Sequence, residues 1–177
     1  MIKVMNKNLV KSKIINNTIE RHPVKILGED YKVKIIYKNV KVAQLDVEEK
    51  VIKITLQNKY KKINNNQMLD FAINKMYEAI AKVEIERAME KTRIMLKFAP
   101  ENYIITNLNN SLAKCENNNI IIDPKIVMFD KKIIDYIVLH EYCHLKYKTH
   151  SKGFMKIIQK YEPNYKIYDN EIKNYKI

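Results

Sequence analysis

Long apolar runs, cysteine, glycine and acidic side chains are all scarce in this sequence of 177 residues. No apolar run approaches the ~18 residues needed to span a bilayer, so no membrane span and no membrane partner are expected. Residues 1–13 lack the apolar h-region of a secretory signal, which points to an intracellular, cytoplasmic protein. The two cysteines, Cys115 and Cys143, give no disulfide framework, and in a reducing compartment both are expected as free thiols. Only two glycines accompany heavy use of Lys, Ile, Asn and Tyr, a composition that nucleotide bias in a genome produces. Nothing functional is therefore read into the Asn clusters. Acidic residues number 20 against 33 basic ones, a formal net charge of +13.

What is present suits one compact soluble domain, or a core with one small appended subdomain, with 46% apolar and 30% charged residues. Residues 1–21 are basic and weakly patterned and are expected to hold at most a short strand or helix, as a mobile arm. Period-two alternation then marks 24–27, 31–37, 40–46 and 51–56, which read as an antiparallel β-meander over about 22–60 with one apolar and one lysine-rich face. From Asn66 to Leu96 the period becomes helical. Met68, Phe71, Ala72, Met76, Ala79, Ile80, Val83, Ala88 and Met89 make a broad stripe there, expected to face the core. Ala99-Pro100 ends that helix. Residues 103–107 and 119–123 look like strands on either side of a polar loop, 107–118. Beyond Tyr161-Glu162-Pro163 the tail has no clear period and is expected to be an irregular surface strap, leaving a core over about 65–162.

The chemistry concentrates in His140-Glu141-Tyr142-Cys143-His144, the H-E-x-x-H pattern, with His150 following. Residues four apart on a helix share a face about 6 Å along the axis, so His140 and His144 can converge on one cation while Glu141 reaches a water beside it. Asp130 is a plausible N-cap, and Ile133, Ile134, Ile137, Val138, Leu139 and Leu145 nearly encircle the helix. Such a helix belongs in a core, where unpaired polar groups are costly. A metal meets that need; the bland alternative is a pair of core histidines with an exposed Glu141. Continuing the helix would swing His150 about 100° away and ~9 Å further along, so the helix must stop before it. Ser151 can cap a second helix carrying Phe154, Ile157 and Ile158, which places His150 at the joint. The bland alternative for His150 is an exposed linker histidine. The spacing His140 to His150 equals that of the metzincin pattern, but Tyr147 stands where that pattern has its turning glycine. Three imidazoles around Zn²⁺ leave a fourth position for water, the open arrangement of catalytic zinc. Glu141 can then move a proton as general base, and peptide-bond hydrolysis is the natural reaction. Tyr147 is a candidate transition-state donor by position.

Cys115, the stretch 119–123, Ile134-Asp-Tyr-Ile-Val-Leu-His-Glu-Tyr-Cys-His-Leu-Lys146 and His150-Ser-Lys-Gly-Phe154 together resemble the YgjP-like metallopeptidases, relatives of the SprT-like group. The resemblance implies an α+β, minigluzincin-like fold spanning one domain over 1–177, one zinc at His140, His144 and His150, and Glu141 as catalytic acid/base. It also implies a protein or peptide substrate, and SprT-like relatives act on DNA-bound proteins. One stretch departs from the family: Ser111-Leu-Ala-Lys-Cys115 stands where members usually carry R-W-G-S-C. Whatever that loop contributes to the wall of the site, and so to substrate choice, differs here. Cys115 is a conceivable fourth ligand, although a packed thiol is the more ordinary role.

Charge is uneven along the chain. Residues 1–64 carry 15 basic and 6 acidic side chains, 65–145 carry 10 and 11, and 146–177 carry 8 and 3. The basic sheet and tail could collect DNA, which keeps open a second function class, a nucleic-acid-associated zinc module with little or no proteolysis. If they form such a site, DNA affinity falls steeply with salt, log K changing by about −0.9 per phosphate contact on duplex. No binding at about 50 mM salt, where that term is strong, would reduce the patch to a solubility feature.

Overall fold

The structure is a computed structural model that describes residues 14–15, 18–62 and 66–174. Its class is α+β, and two compact units are distinguished: the described residues up to 24 with 30–62, and 25–29 with 66–174. The arm expected over 1–21 lies largely outside the described residues. Those that are described begin two strands, β1 (Ile14–Ile15) and β2 (Thr18–Ile26).

The first unit is a five-stranded sheet completed by β3 (Glu29–Lys38), β4 (Gln44–Glu48) and β5 (Val51–Gln57), in the order β1-β2-β3-β5-β4. It departs from a meander at one point. β5 runs parallel to β3, aligning Val33 with Ile52, Ile35 with Ile54 and Tyr37 with Leu56, all six buried, while β4 pairs antiparallel on the outer edge. Hydrophobic content decides the order: β4 offers only Leu45 and Val47, and both remain exposed. Placing the richer β5 beside β3 removes more apolar surface from water. The β4–β5 hairpin closes through Glu49-Lys50, both at positive φ, the turn geometry that matches the twist of a two-residue hairpin.

In the second unit α1 spans Asn66–Leu96, the length expected, but its buried face follows the expected stripe only in part, at Ala88 and Met89. Phe71 and Val83 are exposed, whereas Leu69, Tyr77, Ala81, Ile85, Ala88 and Met89 are buried together with Glu84 and Thr92. Two polar residues thus belong to the buried face, and each is satisfied: Glu84 accepts from Arg87 and Lys131, and Thr92 donates to the Ala88 carbonyl. A stripe drawn through apolar residues alone rotates away from the true one.

A second sheet follows, β6 (Asn102–Ile105), β7 (Ala113–Glu116) and β8 (Asn119–Ile122), ordered β6-β8-β7 with β6 parallel and β7 antiparallel to β8. β7 lies inside the stretch expected to be a polar loop. Its hairpin to β8 turns at Asn117-Asn118, both at positive φ, a conformation Asn tolerates better than most residues. Asp123 pins the preceding loop: its carboxylate accepts from the Leu108 and Lys125 amides, and its own N–H donates to the Leu112 carbonyl.

A 3-10 turn at Pro124–Met128 leads into α2 (Lys131–Lys146), capped by Asp130, whose Oδ1 accepts from the Lys132 amide at 2.8 Å. Residues 25–29 hold this entry. The Leu27 and Gly28 amides donate to the Val127 and Met128 carbonyls, and Gly28, at φ +85°, sits so close that a Cβ would lie 3.3 Å from Asp130. Two more helices follow, α3 (Lys152–Tyr161) and α4 (Tyr165–Asn174). α4 replaces the irregular strap expected of the tail. Tyr165, Tyr168, Asp169 and Ile172, its half-buried residues, do recur at helical spacing, but tyrosines and an aspartate hide that stripe from an apolar pattern.

α2 is locked onto α1 by charge. Asp135, buried, accepts from Arg87 Nη2 and Lys91 Nζ, both at 2.6 Å, while Glu84 accepts from Lys131 Nζ at 2.6 Å. Asp135→Ala removes the acceptor but leaves two half-exposed cations able to find water. Chemical denaturation is expected to show a loss of about 1–3 kcal/mol; an unchanged midpoint would show that apolar packing alone aligns the two helices.

Candidate metal centre

α2 is buried on most of its circumference from Ile133 to Cys143, and His140 and His144 emerge near its C-terminal end. The helix stops at Tyr147, whose backbone turns extended, and α3 begins after Ser151, whose Oγ accepts from the Phe154 amide. His150 lies in the intervening turn, as the spacing requires. The three imidazoles meet there. His140 Nε2 is 3.2 Å from His144 Nε2 and 3.0 Å from His150 Nε2, and one ring nitrogen from each residue lies within 4.8 Å of the others.

Hydrogen bonding alone satisfies this cluster poorly. His144 Nδ1 is 3.0 Å from the Tyr147 carbonyl, which can only accept, so Nδ1 carries the proton and Nε2 is left as a bare lone pair. A single proton on His140 Nε2 could then serve only one of its two neighbours. Tetrahedral coordination with metal–nitrogen bonds of 2.0–2.1 Å puts ligand nitrogens about 3.3 Å apart, close to the separations seen. The residues fit a divalent cation. Burial, followed by the nearby His144 and His150, pushes His140 down to about 4, and burial lowers His144 as well. Both are therefore held in the neutral form that ligates metal.

Two residues that the pattern did not single out shape this cluster. Phe154, almost fully buried, packs its ring under all three imidazoles, with centroids 5.0, 4.8 and 4.7 Å from His140, His144 and His150. Gly153 leaves room for the Tyr147 ring, since a Cβ there would come within 2.7 Å of Tyr147 Cε1. Both lie in the 150–154 stretch that carries part of the family resemblance, and Phe154 reads besides as the amphipathic start of α3.

Glu141 is buried, at 7% exposure, so the exposed alternative does not apply. Burial pushes its carboxyl up to about 7, against the opposing pull of a main-chain hydrogen bond at Cys115 on β7. It shares with His140 a cavity of about 300 Å³. One wall is the 110–113 loop and the start of β7, including the buried Leu112; another is α4, through Asp169 and Ile172. Residues 111–113 are thus part of the site's wall. Tyr136, whose hydroxyl donates to Asp169 Oδ1 at 2.5 Å, stands edge-on to His140. Desolvation and then Asp169 raise the Tyr136 phenol far above its ordinary value, which keeps it a donor. Tyr147 does not line this cavity; its ring faces Gly153. Cys115 is not in the converging group, and its half-buried thiol is raised by burial and then by Glu141. Burial pushes Cys143 up to about 12, as befits a packed thiol.

Among solved structures, the metallopeptidase zymogen abylysin of Pyrococcus abyssi is 26% identical, over 51% of this chain and 92% of that one, with a TM-score of 0.46. The metallopeptidase zymogen jannalysin of Methanocaldococcus jannaschii is 21% identical, over 51% and 88%, with a TM-score of 0.47. No curated protein matches the sequence significantly. No helix among the described residues is long and apolar enough to cross a membrane. A family model, the YgjP-like metallopeptidase domain, matches residues 2–175, and the chain accordingly belongs to the YgjP-like metallopeptidases.

Proposed function

We propose that this chain is a zinc-dependent peptidase in which His140, His144 and His150 hold one metal ion and Glu141 is the general base. The observation that carries this reading is the convergence of three imidazole nitrogens within 4.8 Å, one of them on His140, which shares a cavity with the buried Glu141 carboxyl. Neutral imidazoles suit zinc, and three protein ligands leave a fourth position open, as catalytic rather than structural sites do. When bound, zinc supplies Lewis acidity, lowering the pKa of a water toward about 7 and polarising the scissile carbonyl.

The chain's own residues do the rest. Tyr147, through its carbonyl, fixes the His144 tautomer and leaves Nε2 to face the cation. Phe154 sets the three rings at their mutual angles. Glu141 takes a proton from the attacking water on one carboxylate oxygen and passes it to the leaving amine. The apolar walls of Leu112, Ile137 and Ile172 keep bulk water from that transfer and strengthen the electrostatics within it. A structural site would have no use for a buried carboxyl at this place.

Glu141→Gln is expected to retain fold and one zinc per chain by elemental analysis while losing roughly 10² to 10⁴ in the rate of cleaving a denatured protein, the usual contribution of a general base. Cleavage that continues undiminished would defeat the mechanism. His150→Ala is expected to weaken zinc in a chelator competition while circular dichroism reports α2 intact. Unchanged affinity would remove His150 from the ligand set.

A further inference from the structure

The cavity beside His140 and Glu141 has a composition that its catalytic role does not explain. Leu112, Ile137 and Ile172 make its walls apolar, yet Asp169 of α4 contributes a carboxylate to the same lining. Oδ1 of Asp169 accepts from the Tyr136 hydroxyl at 2.5 Å, and no lysine or arginine among the described residues pairs with the group. The only other carboxyl in the lining is Glu141 itself. Elsewhere in this unit buried carboxylates are fully engaged: Asp135 and Glu84 each have two basic partners, and Asp123 accepts from two main-chain amides. The half-buried Asp169 carboxylate is engaged by one hydroxyl, and its second oxygen is left for a partner in the cavity.

An aliphatic stem with a cation at its end complements such a space: the methylenes lie along the apolar walls and the charged head reaches the carboxylate. A volume of about 300 Å³ holds a side chain of that size. Tyr136 orients Asp169 by occupying one oxygen, which leaves the other to accept a charge-assisted hydrogen bond from the ligand.

We propose that this cavity receives the substrate side chain next to the scissile bond and that Asp169 makes the enzyme selective for lysine or arginine there. The proposal rests on the peptidase reading, and its test separates the two. Peptides identical except for one position, lysine in one member of each pair and uncharged norleucine in the other, are scanned along a common sequence. Their binding to zinc-loaded Glu141→Gln protein is followed by fluorescence anisotropy, so that no turnover is needed. At one position lysine is expected to bind about tenfold tighter than norleucine, the strength of one charge-assisted hydrogen bond. Adding Asp169→Asn is expected to bring that ratio to about one, and so is Ile172→Lys, which adds a cation to the cavity while sparing the Tyr136–Asp169 bond. Because the ratio cancels effects common to both peptides, loss of metal or general loosening cannot imitate the result. Equal binding of all pairs, or a lysine preference that survives both charge-altering variants, overturns the assignment. Lysine-selective binding abolished by Asp169→Asn, with wild-type protein cleaving none of the bound peptides, would support the pocket and sink the peptidase reading.

Discussion

Three imidazole nitrogens that converge within 4.8 Å at the end of a buried helix are the constraint to which the rest of the second unit answers. Such a group is unfavourable without a partner, since lone pairs aimed at one point repel and no arrangement of ring protons satisfies all three. The chain holds it by several independent means. α2 supplies His140 and His144 from one face, the Tyr147 turn brings back His150, and Phe154 closes the cluster from below. Behind them, Asp135 and Glu84 tie α2 to α1, and the turn at Gly28 braces the capping residue Asp130. Strain of this kind is ordinarily stabilised by a bound cation, whose binding free energy then becomes part of the folding free energy.

Much of the centre was legible because its chemistry imposes spacing. Two histidines a helical turn apart need one face of one helix, and a third ligand six residues later cannot share that helix, so the break at Tyr147 and the cap at Ser151 follow from geometry. α1 was legible in length and not in facing, because Glu84 and Thr92 are buried through partners distant in sequence or within the helix itself. The order of the first sheet depends on comparing the apolar content of β4 with that of β5, information that alternation within a single strand does not contain. β7 and α4 were missed for a related reason. One is four residues long with a lysine and a glutamate outward, and the other presents tyrosines and an aspartate inward.

Ala113 of β7 and Asp169 and Ile172 of α4 line the cavity together with the loop that leads into β7. In the proposed reading, metal chemistry dictates the spacing of His140, Glu141, His144 and His150 and says nothing of β7, its preceding loop or α4, which complete the cavity. Asp169 and Tyr136 form a short hydrogen bond across that wall, joining α4 to the helix that carries the metal ligands. In the proposed reading, substrate choice and the metal centre are built from different parts of the chain that meet around His140.

The central claim is that three histidine nitrogens, and no other protein atoms, surround a zinc ion. X-ray absorption at the zinc K-edge on the purified protein tests it most directly. The account predicts three imidazole nitrogens at about 2.0–2.1 Å with one further light-atom donor from solvent. A sulfur scatterer at about 2.3 Å, which would bring Cys115 or Cys143 into the shell, or a shell containing fewer than three imidazoles, would contradict it.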